Sequence, residues 1–310
     1  MKNQTSMEVT ELLKDYENGK RDFTGANLSG ANLSGANLSG AILVGVNLSK
    51  ANLSGANLSR AYLTKAELNG ANLHRANLSF AKMGEVRLAD AEMTKTNLSG
   101  AFLVKAKLPR AQLSGAGLIG SNLRSAILWS ANLCNADLQF SNLRGANLTG
   151  ANLNWANLSG AKLSGARLFA AELTGICLRK AFINGIDLSG TDLNGVNLSE
   201  AKLNGVNLKG ANLVAANLSG AQLRNVKLTG ANLTRANLAG VSLVQANLDW
   251  ARLCYADLSE ADLSEATFMG ANLEGTLLAR ATLSESVSRY FGLNAGAVPA
   301  WQTETITVAG

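Results

Sequence analysis

Proline, aromatic residues, histidine and cysteine are scarce in this chain, and each scarcity excludes a class of structure or chemistry. The 310 residues include 2 prolines, 3 cysteines and 1 histidine, and aromatic residues make up 5% while hydrophobic residues make up 47%. The interior must therefore be built from small and medium aliphatic side chains rather than from large rings. Three cysteines do not make a disulfide framework, which is typical of a reducing compartment.

Long apolar runs are also missing. No stretch approaches the ~20 consecutive apolar residues that a membrane helix needs, and residues 1–22 mix charges where a signal peptide has an apolar run. We therefore expect a cytoplasmic protein that has no membrane partner. The formal net charge of +6 permits an acidic partner, although it is also a common solubility feature.

A five-residue repeat occupies most of the chain. From Phe23 to Leu283 every fifth residue is Leu, Ile, Met or Phe, which gives 53 central positions without a slip in register. We name the five positions of a repeat small, preceding, central, following and corner. The small position is usually Ala, the preceding position is rich in Asn, the following position in Ser and the corner position in Gly.

Neither a helix nor a plain strand can use a period of five. On a helix, a step of five residues rotates by ~140° and scatters the central residues around the whole circumference. On a strand, successive central residues would point to opposite faces. A short extended segment with a turn every five residues points every central and small side chain into one narrow interior, and Gly and Asn supply the unusual corner angles.

The run ANLSG ANLSG ANLSG from Ala26 resembles the pentapeptide-repeat family, whose motif is A(N/D)LXX, and the resemblance covers about five-sixths of the chain. It implies an all-β fold, a right-handed quadrilateral β-helix with four repeats and twenty residues per turn. With ~4.7–4.9 Å between stacked strands, the repeats would then make about thirteen coils and a rod of roughly 60 Å.

A turn of twenty residues divides the repeats into four faces, which we name first to fourth from their starts at Phe23, Leu28, Leu33 and Leu38. Asn holds the preceding position 2 times of 14 on the first face, 5 of 13 on the second, and 8 of 13 on the third and on the fourth. If twenty residues did not make one turn, Asn would hold the preceding position equally often on all four faces. This bias therefore supports the four-sided turn independently of the resemblance.

The open ends of a β-helix expose unpaired backbone groups, so we expect the flanking segments to cover them. Residues 6–18 carry apolar side chains at near-helical spacing, with Ser6 as a plausible N-cap and Gly19 as the stop. After Leu283 we expect a short helix ending near Gly292, and then a strand or a disordered tail. The predicted organisation is a capping helix at 1–22, the β-helix at 23–283, and a C-terminal cap and tail at 284–310.

Patterns for catalysis and metal binding are missing. The one histidine, His74, holds an outward following position, so a Ser-His-Asp arrangement has no fixed base. Cys134 and Cys254 should lie six coils apart, roughly 29 Å, and Cys177 faces another side, so the three cannot share a disulfide or a zinc ion. We expect neither an enzyme nor a cofactor.

Departures from the consensus concentrate on the first two faces, where function is expected because inward positions are fixed by packing. Between Arg60 and Arg235 these faces carry 14 bases against 4 acids, while the other two carry 6 against 5. Their surface positions also hold apolar residues: Ile42, Val44, Tyr62, Phe102, Val104, Phe182, Val244, Ile127, Trp129, Phe169 and Trp250. The candidate partner-binding residues are Tyr62, Phe102, Phe182, Trp129, Phe169, Arg124, Arg144, Lys162, Lys202 and Arg224.

Three functions fit this pattern. The leading hypothesis is a non-catalytic scaffold, a monomer or an end-to-end homodimer, that docks a protein partner on the first and second faces. The resemblance allows a second, because some bacterial members of the family look like DNA and inhibit or protect DNA gyrase through an acidic surface. Here acids dominate only in residues 249–285, with seven acids against two bases, and the loop insertions of the quinolone-resistance members are missing. The third is nucleic-acid binding by the basic ridge, which ranks below a protein partner because such binders carry denser basic clusters.

Overall fold

The computed structural model describes residues 8–290, and in it each repeat forms one side of a four-sided coil. Preceding residues twenty apart pair as parallel bridges, beginning with Asp22 and Ile42, then Asn27 and Asn47. The bridges are single residues, so the coil is a succession of very short extended segments separated by turns. The predicted turn of twenty residues is therefore confirmed.

The described residues form two compact units. Unit 1 holds those within Met1–Leu158 and Ala166–Glu172, and unit 2 holds those within Ser159–Gly165 and Leu173–Gly310. Each unit is a stack of four-sided coils that keeps the five-residue register. The boundaries at 1–22, 23–283 and 284–310, the single uninterrupted solenoid and the coil number of about thirteen stay predictions.

The corner residue turns the chain because it adopts a left-handed conformation. Every corner from Gly25 to Arg280 has a positive φ, and 27 of these residues are not glycine. The N–H of the next small residue bonds back to the central carbonyl, as from Ala26 to Phe23 at 3.1 Å. A positive φ at the third residue alone makes this a type II turn. An L residue costs about 1–2 kcal/mol in that conformation, which explains why Gly is favoured there.

Every backbone N–H of a consensus repeat has a partner. The central and corner N–H groups donate to the next coil, as Leu48 does to the Glu67 carbonyl at 2.7 Å, and the preceding N–H donates to the coil before, as Asn47 does to Ala26 at 3.0 Å. The following N–H donates to the preceding side chain, as Ser49 does to Asn47 Oδ1 at 3.0 Å. This last bond explains the frequent Asn and Asp at the preceding position.

Central and small residues form the core of each unit, as predicted. Central residues such as Leu78 and Leu103 are fully buried, and so are small residues such as Ala76. The partly exposed exceptions are Ala26, Ala31, Ala36, Leu168, Ala171, Thr191, Ala271 and Leu283. Some small positions hold buried larger residues, such as Val46 and Ile176, so the core accepts β-branched side chains at these places.

The N-terminal helix α1 spans Val9–Glu17 and buries Leu12 completely. Its N-cap is Glu8 rather than Ser6, which lies outside the described residues. The predicted stop at Gly19 is confirmed: Gly19 has a φ of 93°, and its N–H donates to the Tyr16 carbonyl at 3.0 Å. This is a Schellman ending. The Tyr16 hydroxyl donates to the Ser39 carbonyl at 2.7 Å, which ties α1 to the first coil.

A second helix, α2, spans Glu285–Tyr290 and buries Val287. The predicted end at Gly292 and the predicted strand or tail lie outside the described residues. Within residues 8–290 neither helix is long and apolar enough to cross a membrane.

Candidate protein-interaction surface

Preceding side chains on the first face of unit 1 form a column of aromatic and basic residues. Parallel bridges join Tyr62 to Lys82, Lys82 to Phe102, and Phe102 to Asn122. Rungs of such a ladder are ~4.8 Å apart, so the backbones of Tyr62 and Phe102 lie about 10 Å apart. Tyr62 is 49% exposed and Phe102 is 41% exposed. The structure therefore brings two candidate residues together, with Lys82 between them.

Arg124 and Arg144 continue the first face of unit 1 at consecutive following positions. The two backbones are neighbours, because the Ser125 N–H donates to the Arg144 carbonyl at 2.9 Å. Both side chains are exposed, and neither forms a salt bridge with any residue in 8–290. Two adjacent unpaired guanidinium groups repel each other, so an anionic partner would be favoured at this place.

All four candidates in unit 2 lie close together on its first face. Bridges join Lys162 to Phe182 and Phe182 to Lys202. The Gly205 N–H donates to the Arg224 carbonyl at 2.9 Å, which places Arg224 on the coil next to Lys202. The Lys202 ammonium lies 4.9 Å from the centre of the Phe182 ring, and Phe182 is only half-buried rather than exposed. Phe182 lies at a surface position as expected, but it is only partly accessible because Lys202 covers part of its ring.

Trp129, on the second face of unit 1, also contacts a cation. The Arg110 guanidinium lies 5.0 Å from the centre of the Trp129 ring, and its Nε and Nη2 donate to the two oxygens of Asp90 at 2.6 Å each. These bonds hold the pKa of the Asp90 carboxyl below its ordinary value. Arg110 is thus fixed between a carboxylate and a ring, and its charge is partly neutralised.

Phe169, also on the second face of unit 1, is 80% exposed and is the most exposed of the large hydrophobic residues in 8–290. Elsewhere on this face Arg87 lies 3.5 Å from Glu67. Two acids of the second face, Glu67 and Asp90, therefore pair with neighbouring bases, whereas the candidate bases of the first face have no carboxylate partner among the described residues. Free positive charge is concentrated on the first face.

Several apolar departures are less accessible than the sequence suggested. Beta-branched residues predicted to be exposed on the first two faces are half-buried against the neighbouring coils: Ile42, Val44, Val104, Ile127 and Val244. Their side chains are short, and a rung spacing of ~4.8 Å lets adjacent side chains cover them. They are structural departures rather than exposed contacts.

Sequence analysis missed most of the exposed rings at corner positions. Phe80, Phe140, Trp155 and Tyr255 are 57–65% exposed and lie at corners after the third and fourth faces, whereas Trp250 follows the second. The prediction that aromatic departures concentrate on the first two faces was therefore incomplete. The signal was present, since a ring at the fifth position of a repeat has to occupy a left-handed corner that ordinarily favours Gly.

Reactive side chains are scattered over the described chain. His74 is half-buried, and its backbone N–H donates to Asn72 Oδ1 at 3.0 Å as in a consensus repeat. The thiols of Cys134, Cys177 and Cys254 are free and half-buried. In residues 8–290 no group of three or more His, Cys, Asp or Glu side chains is placed to hold a metal ion.

The four-sided coils define a β-helical repeat protein. Eight copies of the family model described as pentapeptide repeats match residues 22–60, 41–79, 71–110, 111–150, 146–185, 183–220, 216–253 and 246–285. The chain therefore belongs to the pentapeptide-repeat family, and its fold is a right-handed quadrilateral β-helix.

Solved structures of the same family resemble the chain to different extents. HetL, a pentapeptide repeat protein involved in heterocyst differentiation regulation from the cyanobacterium Nostoc sp. strain PCC 7120, is 31% identical, with 88% of this chain and 97% of HetL covered and a TM-score of 0.38. A pentapeptide repeat protein of the Arabidopsis thaliana thylakoid lumen is 31% identical over 38% of this chain and 86% of its own, with a TM-score of 0.34. QnrB1, a plasmid-mediated fluoroquinolone resistance protein, is 18% identical over 74% of this chain and 97% of its own, with a TM-score of 0.23. A search of curated proteins gave no match.

Proposed function

We propose that this protein is a non-enzymatic scaffold, cytoplasmic in location, that docks a protein partner on the first and second faces. The observation that carries the proposal is the column of Tyr62, Lys82 and Phe102, in which exposed rings and a free cation replace the Asn of the consensus. Protein interfaces are enriched in aromatic residues and Arg at positions that contribute most to affinity. A DNA mimic would need an acidic surface here, so the gyrase role that the resemblance allows is not supported by these faces.

Capture from native lysate tests the proposal. We expect the unaltered protein to retain a partner with and without nuclease treatment, and at low and high salt. Replacing Phe102 and Phe182 together with Asn, the consensus residue, should abolish capture without lowering thermal stability. Replacing Glu92 and Gln112 with Asn on the third face is the matched control and should leave capture unchanged.

Two outcomes would contradict a protein partner. Capture that disappears after nuclease treatment would indicate nucleic acid. Unchanged capture by the Phe102→Asn, Phe182→Asn variant, together with loss after charge reversal of Arg124 and Arg144, would indicate that charge alone recruits the bound molecule.

A further inference from the structure

The first face of unit 1 carries a patch in which rings and cations surround backbone donors. We define the aromatic–basic patch by seven residues on three consecutive rungs of the first face and at the fourth-face corners beside it: Arg60, Tyr62, Lys65, Phe80, Lys82, Phe102 and Lys105. We propose that this patch binds an acidic protein segment that carries an apolar side chain, with the segment's carboxylates accepting hydrogen bonds from backbone N–H groups of the first face. The inference rests on the proposed function, and it names the chemistry of the partner.

Three backbone N–H groups in the patch lack the side-chain partner that a consensus repeat provides. These are the following-position N–H groups of Thr64, Gly84 and Val104, which have no hydrogen-bond acceptor among residues 8–290. In a consensus repeat the preceding Asn accepts this bond, as Asn72 does from the His74 N–H at 3.0 Å. In the patch Tyr62, Lys82 and Phe102 stand in place of that Asn, and none of them can accept from its own repeat.

These three donors form a row along the face. They lie on consecutive coils, so their spacing is that of the ladder, ~4.8 Å. The same N–H reaches an outward Asn side chain in other repeats, so it is directed outward. Gly84 is buried against the Phe102 ring, whereas Thr64 and Val104 are half-buried, so the N–H groups of Thr64 and Val104 are the two donors that a bound segment can reach. A carboxylate of a bound segment can therefore take the place of the missing Asn oxygen, and a charge-assisted bond of this kind is stronger than a neutral one.

The cations of the patch are available to such a carboxylate. Arg60, Lys65, Lys82 and Lys105 are all exposed, and none forms a salt bridge with a carboxylate in residues 8–290. Glu85 is the one acid on these three rungs of the first face and lies between Lys65 and Lys105 in the corner column. The local balance of four bases against one acid attracts negative charge.

The rings supply an apolar floor for the segment. A β-carbon at Gly100 would lie 2.5 Å from Phe80 Cε1, and one at Gly84 would lie 3.5 Å from Phe102 Cε1. The two glycines thus leave space that the rings occupy, and the rings pack along the backbone while Phe80 stays 57% exposed. An apolar side chain placed over these rings would be desolvated at the centre of a charged rim, which is the usual arrangement of a protein interface.

A protein segment fits this patch better than a nucleic acid does. A nucleic-acid strand needs a continuing track of cations along its backbone. The next preceding residue along this column is Asn122, and the cations beyond it, Arg124 and Arg144, lie at following positions. Within the patch the cations lie on both sides of the rings rather than in one line. Lys65 and Lys105 are two rungs, or about 10 Å, apart, which matches about three residues of extended polypeptide.

Fluorescence anisotropy with labelled probes tests the inference on the full chain. The probes are a Glu-rich peptide of about twelve residues with one central Phe, the same peptide with Ser for Phe, and an oligo(dT) strand of about twenty nucleotides, at about 50 and 300 mM salt. We expect the Phe peptide to bind at least about tenfold more tightly than the Ser peptide and the oligonucleotide, and to weaken as salt rises. Equal affinity of the two peptides, or tighter binding of oligo(dT), would overturn the inference.

Two matched pairs of variants localise the binding. Lys65→Glu with Lys105→Glu should weaken the Phe peptide at least about tenfold, whereas Arg75→Glu with Lys95→Glu, which changes the same number of corner charges on the third face, should weaken it no more than about twofold. Equal losses from the two pairs would show that net charge alone attracts the peptide. If lysate capture survives in the Lys65, Lys105 variant, the scaffold function stands and only this contact is wrong.

Variants of Phe102 test whether peptide affinity and thermal stability change in opposite directions. Phe102→Asn supplies the missing acceptor for the Val104 N–H and removes the ring, so it should raise the thermal midpoint and lower peptide affinity. Phe102→Ala removes the ring without supplying the acceptor, so it should lower affinity without that gain in stability. A thermal midpoint that is the same for both variants would mean that the Val104 N–H does not need the acceptor, and would overturn the role given to the donors.

Discussion

Trp250 occupies the space that a side chain at Gly270 would need: a β-carbon there would lie 2.4 Å from Trp250 Cε3. Gly230 lies in the same corner column with nearly the same φ, 67° against 66°, but nothing lies within 4 Å of its β-carbon site. Replacing either glycine with Ala imposes the same conformational cost, about 1–2 kcal/mol. We expect only Gly270→Ala to move the Trp250 ring, which tryptophan fluorescence would detect. An identical spectral change in Gly230→Ala would contradict this contact.

Truncation of a central residue should destabilise the protein much more than truncation of the residue before it. Leu78 is fully buried, so Leu78→Ala leaves a cavity in a narrow core and should lower the free energy of unfolding by about 2–5 kcal/mol. Asn77→Ala removes one acceptor for the Ser79 N–H, at 3.1 Å, and should cost about 1 kcal/mol. Chemical denaturation measures both values. Similar losses would mean that the inward and outward assignments are wrong.

Two buried serines are expected to weaken the core. Ser121 and Ser141 replace Ala at the small position, and neither hydroxyl has a hydrogen-bond partner among the described residues. By contrast, the Thr96 hydroxyl, at the same kind of position, donates to the Leu73 carbonyl at 2.7 Å. Ser121→Ala should therefore raise the free energy of unfolding by about 1 kcal/mol, and Thr96→Ala should lower it by a similar amount. A loss of stability in Ser121→Ala would show that its hydroxyl is satisfied.

Asp90 should contribute to stability in a pH-dependent way. Its bonds to Arg110 lower the pKa of the folded-state carboxyl below the ordinary value of about 3.9. A group with a lowered folded pKa stabilises the fold above its unfolded pKa, and this contribution is lost as the pH falls through the folded pKa. Asp90→Asn should therefore unfold at a lower temperature than the unaltered protein near neutral pH, and the difference should disappear in strong acid. A difference that is constant across the acid titration would exclude this ion pair as its cause.

The fold could be predicted from the sequence because few backbone structures can bury a residue at every fifth position. The spacing of Leu78 and Ala76 already places both in the interior, and the Asn bias among the faces already supports four sides. The candidate surface could be predicted only in part. The contact of Lys202 with Phe182 depends on which residues become neighbours twenty positions apart and on the reach of each side chain.

Two features of the surface could not be predicted from the sequence, because they depend on hydrogen bonds and backbone angles. The sequence shows that Asn is missing before Met83 and Leu103, but only the hydrogen bonds show that Gly84 and Val104 lose an acceptor as a result. Phe80 was overlooked because corner positions were interpreted as places for glycine, although the positive φ of 58° at Phe80 shows that the corner accepts a ring.

The pairing of residues twenty apart also constrains how the gene can change. Within unit 1, loss of twenty codons removes one whole coil and leaves every later side chain in its original column, as the bridge from Tyr62 to Lys82 illustrates. Loss of five codons keeps the core packing but carries each later residue to the neighbouring face, so that lysines and rings of the first face would no longer align. Loss of any number that is not a multiple of five exchanges central leucines with surface residues. Length variants that keep both the fold and the surface should therefore differ by whole coils.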